Sequence, residues 1–347
     1  MTHHLSDILD AWLPSYQDNW VLAIITQVSG SSYRKPGAMM LFHPMGKSLG
    51  MLSGGCLEGD LRRHAQRVIQ TQQTCHITYD ATDESDTSYQ LGCGGIVQIM
   101  MVSLTKANQY LGLLQLHDAL NSGQSCSYQI DVQQKIIDCD SCSAQVEVIK
   151  QALQNRAFIS KAKLIKNNHN DAAILSVPIR APIHIGIFGG GLDAIPVSEM
   201  AQQLGWRVTV FDERSAYARQ YDFVGAQINK QPVEQAMSEQ MSELHAAIVM
   251  THNLDMDARA IKVLFAYPMQ YVALLGPGHR KDKVLTKAEL SDSDFSGYFS
   301  APAGLAIGGE LPSSIALSIL SQCHSVLFQG HQVLQQGDCV SLDKVMS

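Results

Sequence analysis

The chain has 347 residues, with 25 Lys and Arg against 32 Asp and Glu and a formal net charge of −7. Its 46% hydrophobic and 16% charged residues describe a globular protein long enough for two domains, which excludes a disordered chain. The acidic balance and the lack of a long basic block exclude a general nucleic-acid binder. No basic-then-apolar leader opens the chain, and no run approaches the ~18 apolar residues of a membrane span. A cytoplasmic protein without a membrane partner is therefore expected, and its eight cysteines read as reduced thiols, not as a disulfide framework.

An amphipathic opening helix is predicted, with Leu5, Ile8, Leu9 and Trp12 on one face. Strands are predicted over 20–28 and 38–42. The loop between them, Ser29 to Gly37, holds two cations, Arg34 and Lys35, beside Pro36 and Gly37. It reads either as a solvated turn or as an anion-holding loop. Next, Gly54 and Gly55 deliver Cys56 to the start of a helix predicted over 56–72. Unpaired N–H groups at that positive end favour a thiolate or a bound anion. The plainer alternative is a small buried apolar cysteine. A strand over 75–79 and an acidic loop over 80–88 lead to Gly92-Cys93-Gly94-Gly95, a second glycine-flanked thiol ahead of the apolar run 96–102. Two such thiols point to one site.

A helix over 107–120 follows, then short strand-like runs over 125–178. Within them Cys139-Asp-Ser-Cys142 has CxxC spacing, but neither a second pair nor a His pair accompanies it. A hairpin or loop is the first reading, and a metal or redox role the second.

At Pro182 the pattern becomes βαβ. Ile183–Phe188 reads as a buried strand, Gly189 to Ala194 as a glycine-rich turn, and an amphipathic helix runs on to Leu204 with Pro196 in its first turn. A second strand, 207–212, ends in Asp212, 23 residues after Gly189. Together these form a dinucleotide fingerprint, GxGxxA, with Gly189 and Gly191 placed for a pyrophosphate and Asp212 for a ribose. Strands over 246–251 and 271–275 and a helix over 255–266 continue the domain. Ligands of such sheets lie beyond the carboxyl ends of the strands, so the glycine turn, Asp212, Thr251-His252-Asn253 and Gly276–Arg280 should share one rim. His252 is a candidate base or ligand there, while Asp255 reads first as a helix cap. A last helix, 312–328, carries an apolar stripe of Ile315, Ile319, Leu320 and Leu327, which is core or dimer contact. The fold class expected is α/β: a mixed α/β N-terminal domain over 1–180, of which 105–180 is a connecting part, a Rossmann-like domain with a mainly parallel sheet over 181–330, and a tail over 331–347.

The chain resembles the xanthine dehydrogenase accessory family, XdhC/CoxI, along nearly its whole length. The resemblance rests on Gly30-Ser-Ser-Tyr-Arg-Lys-Pro-Gly-Ala-Met-Met40, Ser53-Gly-Gly-Cys-Leu-Glu58, Gly92-Cys-Gly-Gly95, Phe211-Asp-Glu-Arg214 after the glycine turn, Thr251-His-Asn-Leu-Asp-Met-Asp257 and Ala301-Pro-Ala-Gly-Leu-Ala-Ile-Gly308. It departs in the second half: Leu192-Asp193 stands where the family usually has a His and then an apolar residue, Pro277-Gly-His279 where Ser-Arg-Arg is usual, and Leu311-Pro-Ser-Ser314 where Thr/Ser-Pro-Glu-Glu is usual.

The resemblance implies a cytoplasmic maturation chaperone. Such proteins bind molybdenum cofactor (molybdopterin), hold it while a terminal sulfido ligand is installed with sulfur from a cysteine desulfurase, and pass it to an apo molybdenum hydroxylase such as xanthine dehydrogenase. A homodimer is expected. On this reading Arg34 and Lys35 suit the terminal phosphate, Gly54 and Gly55 shape the loop, and Cys56 and Cys93 face the molybdenum or relay sulfur, Cys56 being the candidate metal ligand. Glu58 would cap the helix. NAD(P) or another nucleotide is the expected ligand of the Rossmann rim. The alternative is an NAD(P)-linked oxidoreductase with Asp212 on the ribose and His252 as acid or base, which leaves the two cysteine blocks unexplained.

Overall fold

A computed structural model describes residues 4–80, 95–133, 135–149, 161–166 and 172–329. The chain forms two compact units that divide between Pro182 and Ile183.

The first unit opens with helix α1 (Leu5–Trp12), whose Ile8, Leu9 and Trp12 are buried as the periodicity predicts. Strands β1 (Val21–Ser29), β2 (Met39–Phe42) and β3 (Ser48–Gly50) precede helix α2 (Glu58–Thr71), and β4 (Cys75–Asp80) and β5 (Ile96–Ser103) follow it. These five strands make one antiparallel sheet in the order β3-β2-β1-β5-β4. Central strand β1 is buried from Val21 through Thr26, and a register shift between Ile25 and Gln27 marks a bulge. Helix α3 (Leu113–Asn121) leads to a four-stranded antiparallel sheet, ordered β7-β6-β9-β8, of β6 (Cys126–Gln133), β7 (Ala144–Val148), β8 (Lys163–Lys166) and β9 (Ala172–Ile179). Both sheets contribute to one core, from Trp12 and Trp20 to Tyr128 and Leu175.

Register fixes what this sheet presents. Asp80 at the end of β4 and Ser29 at the end of β1 both pair with Ile96 at the start of β5, and Gly50 at the end of β3 pairs with Met40 near the start of β2. The loops 30–38 and 51–57 therefore leave the same end of the sheet, as do both flanks of the segment 81–94.

The second unit contains β10 (His184–Phe188), α4 (Ile195–Gln203), β11 (Arg207–Phe211), β12 (Gln227–Asn229), α5 (Ser238–Ser242), β13 (Ala246–Val249), α6 (Leu254–Phe265), β14 (Tyr271–Leu274), α7 (Gly278–Ala288), β15 (Tyr298–Ser300) and α8 (Pro312–Gln329). Its six strands are all parallel, in the order β12-β11-β10-β13-β14-β15, which is the Rossmann order with its topological switch between β10 and β13. Two hydrophobic layers flank the sheet. Ile185 and Ile187 pack with Val197 of α4 and Ile319 and Leu320 of α8, while Phe188 and Val249 pack with Ile261 and Leu264 of α6 and Val284 of α7. Truncating one of these fully buried side chains, such as Ile187→Ala, costs about 2–5 kcal/mol. The stripe on α8 is thus core.

Several sequence expectations need correction. Helix α2 starts at Glu58 with Leu57 as its N-cap, so Cys56 lies one residue ahead of the cap and not within the helix. The helix expected from 107 begins only at Leu113, because Gln109, Tyr110 and Leu111 take positive φ. Helix α7 starts at Gly278 and carries Arg280 in its first turn, so the rim segment Gly276–Arg280 runs into a helix. Asn253, not Asp255, caps α6, accepting from the N–H groups of Asp255 and Met256. Among the described residues no helix is long and apolar enough to cross a membrane.

Candidate functional site

Cys56 is exposed on a turn clamped by two polar side chains. The Glu58 carboxylate accepts from the N–H groups of Leu52 (3.2 Å) and Ser53 (2.8 Å) and from the Ser53 hydroxyl. That hydroxyl in turn accepts from the N–H groups of Gly55 (3.3 Å) and Leu57 (3.0 Å). Ser53 and Leu57 are buried, so both ends of the turn are anchored while Gly54, Gly55 and Cys56 stay exposed. Gly55, at φ +111°, needs glycine for its backbone conformation, whereas open space surrounds Gly54. Burial alone would push the Glu58 carboxyl up, but the Ser53 hydroxyl and the backbone N–H donors outweigh it and hold it below its ordinary value. Glu58 is therefore a clamp across the whole turn and not a simple helix cap.

The cation loop lies at the same end of the sheet. Arg34 is half-buried, with its carbonyl accepting from the Ser32 hydroxyl at 2.7 Å, and Lys35 is exposed. Cys93 lies outside the described residues, but Gly95 at the end of its block packs against this loop. A Cβ placed on Gly95 would fall 2.0 Å from the Ser31 carbonyl oxygen and 2.8 Å from that of Ser29. Topology thus brings Arg34, Lys35 and the Cys56 turn to one sheet end, together with the glycine that closes the Cys93 block.

The other cysteine pair is not of this kind. Cys139 and Cys142 are buried free thiols in the turn between β6 and β7, and burial pushes both up, Cys142 to about 12. Among the described residues no group of three or more His, Cys, Asp or Glu side chains could hold a metal ion.

The Rossmann rim assembles as parallel-strand topology requires, with the glycine turn, Asp212, Thr251–Asn253 and the start of α7 following the ends of β10, β11, β13 and β14. Its polar groups are turned on one another. Asp212 has a fully buried side chain that accepts from the Gly190 N–H (2.7 Å), the Arg214 N–H (3.1 Å), and Arg214 Nε (2.9 Å) and Nη2 (2.7 Å). Burial pushes its carboxyl up, and Arg214 with the Gly190 N–H more than reverses this. Arg214 Nη1 also donates to the Thr251 carbonyl at 3.2 Å. Asp257, buried as well, accepts from Thr251 and from Arg280. His252 is exposed, at φ +59°, and its Nε2 lies 2.7 Å from Asp193 Oδ2.

The fingerprint residues are thus engaged by their own chain. The four donors on Asp212 fill the roughly four lone-pair sites of a carboxylate, so the expected ribose contact would require Arg214 to be displaced. Gly191, expected to face a pyrophosphate, faces Asp193: a Cβ there would lie 2.5 Å from Asp193 Oδ1. Sequence reasoning missed Ser53, Asp193 and Arg214. The signals present were the Ser and Glu bracketing the Gly-Gly-Cys turn, and an Arg two residues after the fingerprint acid.

Comparison with known proteins agrees with this architecture. Residues 16–80 match the XdhC and CoxI family, and residues 185–323 match the XdhC Rossmann domain. The chain is 32% identical to a Bacillus subtilis protein named as a probable xanthine dehydrogenase subunit, over 91% of this chain and 95% of that one. It is similar in structure to a Bacillus halodurans protein described as a xanthine dehydrogenase, with a TM-score of 0.75 and 25% identity over 96% of this chain and 98% of that one. With its fold, its motif loops and a full-length relative in agreement, the chain belongs to the XdhC and CoxI family.

Proposed function

We propose that this protein is an accessory factor in the maturation of a xanthine dehydrogenase-like molybdenum hydroxylase, holding molybdenum cofactor as cargo during sulfuration by a cysteine desulfurase and then delivering it to the apo-hydroxylase. The observation that carries this reading is the convergence of the cation loop, the Cys56 turn and the flanks of the Cys93 segment on one end of the N-terminal sheet. The cargo has a terminal phosphate and a sulfur-ligated metal, which call for cations and soft ligands respectively. Arg34 and Lys35 would hold the phosphate, and Cys56 and Cys93 would face the molybdenum or carry sulfur. The names of the relatives, both tied to xanthine dehydrogenase, point to the same client class. Against an NAD(P)-linked oxidoreductase stand the internal partners of Asp212 and His252.

Reconstitution tests the reading. Protein incubated with molybdenum cofactor and passed through a desalting column should retain molybdenum and pterin in a fixed ratio, and should activate apo-hydroxylase together with a desulfurase and cysteine. Cys56→Ser should lose retention. Normal client activity in a strain lacking this protein, with no second copy of the factor present, would refute it.

A further inference from the structure

We propose that the Rossmann unit is closed to dinucleotides by its own chain: the Asp193–His252 pair stands at the start of the α4 helical run in place of a pyrophosphate, and Arg214 stands on Asp212 in place of a ribose. In a dinucleotide-binding turn the second fingerprint glycine is bare so that the backbone can approach the pyrophosphate. Here that glycine is Gly191, and a Cβ on it would fall 2.5 Å from Asp193 Oδ1. The variable position before it is also packed by the chain, since a Cβ on Gly190 would fall 2.4–2.6 Å from Ala218. The Gly190 contact is built in, since the Ala218 N–H donates to the Gly190 carbonyl at 2.9 Å and Ala218 takes φ +43° to do so.

Charge acts in the same direction. The start of a helical run carries partial positive charge that ordinarily attracts a phosphate, and here the run begins at Leu192. Asp193 supplies that anion internally, and His252, arriving from the end of β13 across the topological switch, holds it at 2.7 Å. A pyrophosphate entering there would set its negative charges against a fixed carboxylate. Beside Asp212 the cleft between Phe188, Phe211, Val233 and Met256 is shallow, with a cavity volume of about 20 Å³, enough for about one water.

This inference does not rest on the maturation reading, and binding alone tests it. Calorimetric titration of the full-length protein with NAD, NADP, ADP or inorganic pyrophosphate should give no saturable heat up to about 1 mM. Asp193→Ala should bind pyrophosphate and ADP at least about tenfold more tightly than the wild type, because the helix start loses its internal anion. Leu192→Ala, which alters an exposed neighbour, should match the wild type. Should Asp193→Ala fail to fold, Asp193→Asn removes the same charge and is expected to gain the same binding. Wild-type binding of NAD below about 0.1 mM would overturn the proposal. So would a folded charge-removing variant that gains nothing, or an equal gain in Leu192→Ala.

Discussion

Glu58→Ala tests whether the Cys56 turn is held by its clamp or by the surrounding backbone. The substitution removes three hydrogen bonds to a carboxylate and strands the N–H of the buried Ser53. Bonds to charged groups contribute about 1.5–3 kcal/mol each, and a stranded buried donor costs about 1–3 kcal/mol. Because the turn itself is exposed and water can reach part of it, a total near 2–3 kcal/mol is expected, or roughly 5–10 °C in the melting temperature of a unit this size. The assay is thermal unfolding followed by tryptophan fluorescence, in which buried Trp12 and Trp20 report this unit and Trp206 the Rossmann unit, with cofactor retention measured in parallel. The carboxyl is held below its ordinary value, so its contribution is complete above about pH 4.5 and is lost as pH falls through the lowered value. Glu58→Gln should accordingly flatten that acid limb. A Glu58→Ala protein that melts within about 1 °C of the wild type would refute the clamp, since the effect expected is several times larger.

Cys56→Ser should leave stability within about 0.5 kcal/mol, as befits an exposed position, while abolishing cofactor retention; an unfolded variant, or a folded one that still retains cofactor, would count against the assignment. Iodoacetamide followed by mass spectrometry should label Cys56 well before Cys139, Cys142 and Cys323, which are buried with thiols pushed up by that burial. Asp257→Ala leaves Arg280 and the Thr251 N–H without their buried partner and should cost the Rossmann unit about 2–4 kcal/mol, read from its denaturant midpoint. His184 is pushed down to about 4 by burial, aided by His245 and Arg207. The unfolded chain therefore takes up the extra proton first, and the Rossmann unit should lose stability as pH falls from about 6.5 towards 4, by at most about 3 kcal/mol, a slope that His184→Gln should reduce.

The architecture was legible where periodicity and punctuation agreed. The run from Ile183 through Asp212 carries a strand, a glycine turn, a helix and an acid in one order, and the parallel sheet followed from it. Short edge elements escaped: β3, β12 and β15 have three residues each, too few for an alternation to register. The site was half legible. Cys56, Arg34 and Lys35 stood out by residue type, but their convergence depends on strand register, which residue types do not encode. At the rim the fingerprint spacing was legible, but the internal partners of Asp212 and His252 were not, because Arg214 and Asp193 are side chains whose direction only tertiary packing decides.

The seat of Gly95 against Ser29 and Ser31 couples two segments that lie more than sixty residues apart in sequence. A single added methyl group there would act as a wedge, prying the cation loop off the strand that follows the second cysteine. The backbone at Gly95 and the backbone at Ser29 and Ser31 therefore meet main chain against main chain, with no side chain between them, so the position of one sets the position of the other.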